Sequence, residues 1–414
     1  MSETFNTDEK VKRLVEKAFN ESLDNYTVDI LNATKIGENY MGSVHNVKIK
    51  RNDKEEDDIK FHLFAKMAPH EGCHRNTSPI RAMYECEIHS YENIFPELVK
   101  FQKDKNVAIF QPFAKSYASS LEMGAEALLM DDMKMKNFKL IDHRAKLDLQ
   151  HATLIMREIG KFHALSFAIR DQRPELFKYL ENNCRDIFYS NDKMSSTLHK
   201  AVTNIGTAIV KSYDTSSRNA KEVESLQNFI KNLPSVLNSV LSLDNAGKYA
   251  VINHGDLEIR NILFRYNDAA EPHIPTDLCL LDWQLTRLGS PALDILFFIF
   301  ICTEKELRDN HYNRLIVEYY ESLATFLRQL GSDPQILFPY EILLEHLKKL
   351  SAFGLYNAIW IVSLNMREIC DVPDTSTIKN EDLYVQSLSV VPKRGYVERV
   401  RDIISDLIKY DYDF

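Results

Sequence analysis

No stretch of this chain is apolar for long enough to cross a bilayer. Its strongest apolar run, Ile295 to Cys302, is far short of the ~20 residues a spanning helix needs. The opening Met1-Ser2-Glu3-Thr4-Phe5-Asn6-Thr7-Asp8 is polar and acidic. With no basic n-region and no apolar h-region, no signal peptide is expected, and a soluble cytoplasmic protein is. Basic charge is also scarce: 51 Lys and Arg face 60 Asp and Glu, a net charge of −9. That balance argues against general nucleic-acid binding, which needs basic patches. The six cysteines are scattered, with no CxxC pair, so neither a disulfide framework nor a zinc site is expected. Internal repeats and low-complexity segments are missing too.

What is present is a long, ordinary globular composition. The chain has 414 residues, 44% hydrophobic and 27% charged, too many for one compact core. Apolar periodicity predicts an amphipathic helix near 8–20, with Val11, Leu14, Val15 and Phe19 on one stripe. Strands are expected near Tyr26–Ile36 and Ser43–Lys50, with a charged turn over 51–58. A third strand, Ile59–Met67, alternates: Phe61, Leu63 and Ala65 share one face, and His62, Phe64 and Lys66 the other. A helix over 78–93 begins at Thr77-Ser78-Pro79. Further strands are expected at Val107–Phe113 and Ala127–Met130. Beyond Asp131-Asp132 long helical patterns take over: His151–Arg170, Lys221–Leu241, Arg308–Leu330, Tyr340–Glu368 and Tyr396–Lys409. Two short strands, Ile262–Tyr266 and Leu278–Leu281, interrupt them. The expected organisation is therefore a β-rich lobe over 1–131 and a helical lobe over 132–414.

One run carries chemistry. His254-Gly255-Asp256-Leu257-Glu258-Ile259-Arg260-Asn261 is followed by Leu280-Leu281-Asp282-Trp283-Gln284. It supplies an aspartate, an asparagine five residues later and a second aspartate closing an apolar run. A hydroxyl nucleophile needs a carboxylate to orient it and accept its proton. Mg²⁺ takes a few oxygen ligands from protein and the rest from phosphates and water. A hairpin through Ile262-Leu263-Phe264 and Leu278-Cys279-Leu280-Leu281 would return Asp282 to Asn261.

These motifs, in their order, resemble the small-molecule kinases of the choline kinase and aminoglycoside phosphotransferase kind. The resemblance is strongest to the insect ecdysteroid kinase-like group with its CHK kinase-like domain. It covers roughly residues 30 to 405. It rests on Gly37-Glu38-Asn39-Tyr40, Phe64-Ala65-Lys66, Tyr84-x-x-Glu87-Ile88-x-x-Tyr91 and Leu128-Leu129-Met130-Asp131-Asp132-Met133. Lys161-Phe162-His163-Ala164-Leu165-Ser166, the run from His254 to Gln284 and Gly289-Ser290-Pro291-Ala292-Leu293-Asp294 continue it.

The resemblance implies an α+β, two-lobed protein-kinase-like fold using ATP and Mg²⁺. It implies Asp256 as the catalytic base and Asn261 and Asp282 as the metal ligands. Lys66 would contact the α- and β-phosphates, held by Glu87, with Glu85 as the rival partner. The turn containing Gly37 and Asn39 would cover the phosphates. Met130 and Asp131 would lie on the connection that holds the adenine. His163 reads as a supporting core histidine, and Asp294 as an anchor for the catalytic-loop backbone.

One position departs from the family. An aromatic residue, usually Trp, commonly stands two residues after the catalytic aspartate; here it is Glu258. Three readings of function stay open. One is a kinase for a small-molecule alcohol, ecdysteroid-like or otherwise hydrophobic, including xenobiotics. Another is a choline- or aminoglycoside-type kinase for a polar cation. The last is an inactive nucleotide- or small-molecule-binding protein. Phe353, Tyr356 and Trp360 share a helical face that serves either as core or as an aromatic acceptor pocket.

Overall fold

The computed structural model describes residues 7–33, 42–52, 59–69, 75, 78–142, 144–182, 184–214, 219–367, 380–392 and 395–414. The first part is an antiparallel five-stranded sheet in the order β1-β2-β3-β5-β4. Its strands are β1 (Tyr26–Asn32), β2 (Ser43–Arg51), β3 (Ile59–Met67), β4 (Ser116–Ser120) and β5 (Ala127–Asp131). The helix Thr7–Phe19 covers one face, burying Val11, Leu14 and Val15 against Val47, Leu63, Ala65 and Leu129. The alternation expected of β3 explains the other face. Leu63 and Ala65 go to the helix, while Phe64 and Lys66 turn into the cleft. Pairing sets Lys66 opposite Val44 and Leu128, and Phe64 opposite Met130. A slip of one residue would send Lys66 into the helix-covered core, so the register is strongly specified.

The helical part packs around Leu149–Gln172 and Lys305–Gln329. Beside them runs Ala292–Cys302, whose residues from Ala292 to Ile301 are all buried. That apolar run is a core helix on every side. Three small strand pairings frame the site: β7 (Val251–Asn253) with β10 (Arg287–Gly289), and β8 (Ile262–Arg265) with β6 (Lys139–Leu140) and β9 (Asp277–Leu280).

Several expected elements change. Val107–Phe113 is not a strand; only Phe113 forms a bridge, to Leu280. The Gln102 side chain takes both polar groups of Phe110, at 2.7 and 3.0 Å. Pro112 has no N–H, and its carbonyl accepts from Leu280 N at 2.7 Å. With these groups satisfied, no partner strand is needed. The sheet takes β4, Ser116–Ser120, in its place. The helix expected to end at 93 continues from Ile80 through a π turn at Ser90–Ile94 to Asp104. The turn precedes Pro96, which has no N–H to donate to the ladder. Lys221–Leu241 divides at Asn232, before Pro234, into Ala220–Lys231 and Leu233–Leu241. Tyr340–Glu368 divides into Tyr340–Lys349 and a helix from Ala352 that passes a π turn at Ala358–Val362. A helix at Asp192–Ser212, unexpected from the sequence, lies against that π turn.

Candidate active site

The run from His254 to Asn261 forms a tight loop between β7 and β8, and it is held from behind. Asp294, at the start of the apolar helix, accepts from His254 N at 2.7 Å and Gly255 N at 2.9 Å. His163 Nε2 donates to the same carboxylate at 3.2 Å, and His163 Nδ1 accepts from the Tyr319 hydroxyl at 2.8 Å. His254 Nε2 donates to Leu281 O at 2.9 Å, while Asp256 N donates to His254 Nδ1 at 3.2 Å. This pattern requires a neutral imidazole, and burial lowers the His254 pKa accordingly. Gly255 has φ of 85°, and a Cβ there would lie 2.1 Å from Leu285 O. Only glycine lets the loop pass this close to the segment after Asp282.

The β8–β9 hairpin brings the polar residues together. Ile262 pairs with Leu280, and Leu281 N donates to Asn261 O at 2.8 Å. Asn261 Nδ2 donates to Asp256 Oδ2 and to Asp256 O, each at 3.0 Å. Asp282 sits in the left-handed region at φ 64°, a conformation uncommon outside glycine and often found at functional sites. Buried Trp283 anchors that turn against Phe95, Phe162 and His254. Burial and the Glu258 and Asp282 carboxylates push the Asp256 pKa up, against Arg260 and the Asn261 hydrogen bond.

From the sheet, Lys66 Nζ reaches Glu87 Oε2 at 2.6 Å and Asp282 Oδ1 at 2.5 Å. Burial alone would disfavour the ammonium, but Asp282 and Glu87 outweigh it and hold the Lys66 pKa above the usual lysine range. Glu87 also accepts from Trp283 N at 3.3 Å, so one carboxylate ties the sheet lysine to the Asp282 turn. Glu85, the rival partner, pairs instead with Arg81 at 2.8 Å on the surface. Met130 lines the cleft beside Phe64. Asp131 stands next to it, its carboxylate held by Tyr117 at 2.8 Å and Lys136 at 2.6 Å. Gly37 and Asn39 lie outside the described residues.

The model of the ecdysteroid kinase-like family matches residues 36–332. The chain belongs to the ecdysteroid kinase-like family. It is a small-molecule kinase. Among curated proteins none matches it. Solved structures similar to it include a microcompartment-associated aminopropanol kinase, 13% identical, TM-score 0.45, with 96% of this chain and 98% of that one covered. Another is the GDP complex of wild-type aminoglycoside 2'-phosphotransferase-IIIa, 11% identical, TM-score 0.41, covering 98% and 100%.

In this ecdysteroid kinase-like chain one cavity of about 300 Å³ joins both halves of the cleft. The sheet contributes Val44, Phe64, Lys66 and Met130 to its lining, and the loop and hairpin contribute Asp256, Asn261 and Asp282. The wall from the helical part is mainly apolar, with Phe188, Met194, Leu198, Phe297, Trp360 and Leu364, and carries Arg367, Tyr384 and Ser387 among them. Of the expected aromatic stripe, Phe353 and Tyr356 are core, and Trp360 alone reaches the cavity. The π turn at Ala358–Val362 separates them, since one extra residue in the turn rotates the helix beyond it. Asn357 Oδ1 accepts from Tyr189 Oη at 2.6 Å and from Trp360 Nε1 at 3.2 Å, fixing both rings. The part of the wall that Asp192–Ser212 supplies was not among the expected elements. A signal for it exists: Asn191 caps the helix, and Met194, Leu198, Ala201, Ile205 and Ile209 recur at helical spacing.

Proposed function

We propose that this chain is an ATP- and Mg²⁺-dependent kinase that transfers the γ-phosphoryl group to a hydroxyl of a hydrophobic small-molecule alcohol, ecdysteroid-like in character. The observation that carries the reading is the single cavity lined by Lys66, Asp282 and Asp256 together with a mainly apolar set of side chains from the helical part. Asp256 orients the acceptor hydroxyl and takes its proton as the new O–P bond forms. The bond from the γ-phosphorus to the bridging oxygen breaks, and its electron pair leaves with ADP. Lys66 holds the nucleotide phosphates, Glu87 aligns Lys66, and Met130 and Asp131 border the base.

The donor set fits magnesium. Asp282 offers a carboxylate and Asn261 an amide oxygen, both hard oxygen donors. Among the described residues no cluster of three or more His, Cys, Asp or Glu could hold a metal. Two protein ligands suit an ion that takes its others from phosphates and water. Bound there, Mg²⁺ would neutralise phosphate charge.

The apolar wall favours a hydrophobic acceptor over a polar cation. Among the described residues one further carboxylate lines the acceptor side, Glu258, and both its oxygens are taken, Oε1 by Arg260 Nη2 at 2.7 Å and Oε2 by Asn365 Nδ2 at 3.2 Å. Incubation with Mg-ATP and a library of steroid and plant-type alcohols is expected to give a phosphate mass gain on hydrophobic members. Phosphorylation confined to choline- or aminoglycoside-type cations would overturn the acceptor class. Mg-ATP binding without transfer to any alcohol would favour a binding protein. On an acceptor so found, Trp360→Ala is expected to raise KM about 10- to 100-fold with kcat nearly unchanged, because the ring supplies uniform binding area. Steady-state kinetics checks the split.

A further inference from the structure

Glu258 stands where the family commonly has an aromatic side chain, and it does not stand alone. It is only 7% exposed. Its Oε1 accepts from Arg260 Nε at 2.8 Å and Nη2 at 2.7 Å. Its Oε2 accepts from Asn365 Nδ2 at 3.2 Å. The guanidinium is thereby fixed in the cavity wall, with 26% of its side chain accessible. Three cations line this cavity among the described residues: Lys66, Arg260 and Arg367. Lys66 is engaged at the nucleotide end with Glu87 and Asp282. Arg367 donates to the carbonyls of Ser387 and Leu388 at 2.7 and 3.1 Å. Arg260 lies near enough to Asp256 to lower its carboxyl pKa, and it is adjacent to Asn261 in the chain.

We propose that Arg260 is a catalytic residue of this kinase, placing its positive charge against the oxygens of the γ-phosphoryl group in transfer, and that Glu258 and Asn365 are its positioning residues. The inference rests on the phosphotransfer reading above. In the transition state, negative charge is shared by three equatorial oxygens, and a fixed cation there costs no reorganisation. A freely rotating arginine would lose side-chain entropy at that moment. The Asn365–Glu258–Arg260 chain removes that loss beforehand, because Glu258 holds two N–H groups of one planar fork. The family's aromatic could not do this. The arrangement links a charged residue at 258 to a charged residue at 260 through one physical requirement. A buried carboxylate needs a cation, and that cation lines the cleft.

The test needs no identified acceptor. Its probes are Mg-ADP, Mg-ADP with aluminium fluoride as a mimic of the transferring group, and slow Mg-ATP hydrolysis with water as acceptor. Arg260→Ala is expected to leave Mg-ADP affinity near wild type. It should lower both the aluminium fluoride response and hydrolysis about 100-fold, the scale for losing one transition-state donor. Added guanidinium should restore part of both in Arg260→Ala. Glu258→Gln should lose less than Arg260→Ala and add nothing to it in the double variant. Wild-type behaviour of Arg260→Ala on the mimic and in hydrolysis would overturn the proposal. So would an equal loss of Mg-ADP and mimic without guanidinium rescue, which would make Arg260 a neutralising partner for Glu258. A wild-type protein that binds no Mg-ADP would instead sink the kinase reading itself.

Discussion

Asp256→Asn is expected to lower turnover by about 10²- to 10⁴-fold, the usual contribution of a positioned general base. The substitution keeps the shape of the side chain. Its amide oxygen still accepts from Asn261 Nδ2, which now donates to Asp256 Oδ2 at 3.0 Å. What disappears is the capacity to take a proton. The fold should not suffer, because Asp256 shares its surroundings with the Glu258 and Asp282 carboxylates, which repel it. Removing one of three like charges in a low-dielectric site relieves that repulsion. The expected signature is therefore a large fall in kcat, unchanged Mg-ATP affinity and an unfolding midpoint at or above wild type. Product formation on a validated acceptor, nucleotide titration and thermal unfolding check the three parts. Wild-type turnover in Asp256→Asn would move the base to another group.

Local rules account for the features of this arrangement that were legible in the sequence. Strict alternation in Phe61–Lys66 sorted Leu63 and Ala65 from Phe64 and Lys66, and the sheet uses that sorting. The apolar runs at Ile262–Phe264 and Leu278–Leu281, with turn residues between, were enough to expect the hairpin that sets Asp282 beside Asn261. Expectations failed where side chains satisfied the backbone in place of regular partners. Val107–Phe113 has strand-like residues, but Gln102 satisfies Phe110 across a loop. The helix expected to stop at residue 93 survives because a π turn absorbs Pro96. The apolar side of the cavity was harder still. Trp360 and Tyr356 share a helical stripe on paper, and a single π turn at Ala358–Val362 sends them to different surroundings. No period of 3.6 reports such a turn. The partners of Glu258 were equally hidden, since Asn365 is more than a hundred residues away in the chain. Its contact depends on how two helices and a loop pack.

Asp294→Ala is expected to cost the fold about 3–5 kcal/mol, the range for removing one partner from a buried ionic hydrogen-bonded group. The carboxylate is 1% exposed. It is the common acceptor for His254 N, Gly255 N and His163 Nε2. Alanine would leave two backbone amides and an imidazole N–H buried without partners, and each unmade bond carries its full desolvation penalty. Because Gly255 is already held at φ 85°, the loop has no relaxed conformation of equal geometry to fall into, and Asp256 would lose its aim. Turnover should therefore fall together with stability, unlike in Asp256→Asn, where the two separate. Acid should act through the same carboxylate. Burial raises the Asp294 pKa, but the His163 hydrogen bond and the Gly255 amide outweigh it and hold the value below the ordinary carboxylate range. A depressed folded-state pKa means that its stabilising contribution is complete above the unfolded value of about 3.9 and is lost as pH falls through the lower, folded one. Thermal unfolding of wild type and Asp294→Ala from neutral to strongly acid pH should show two curves that converge only at the acid end. Parallel curves, or an Asp294→Ala midpoint equal to wild type at neutral pH, would mean that the loop from His254 to Asn261 is held by β7 and β10 without its anchor.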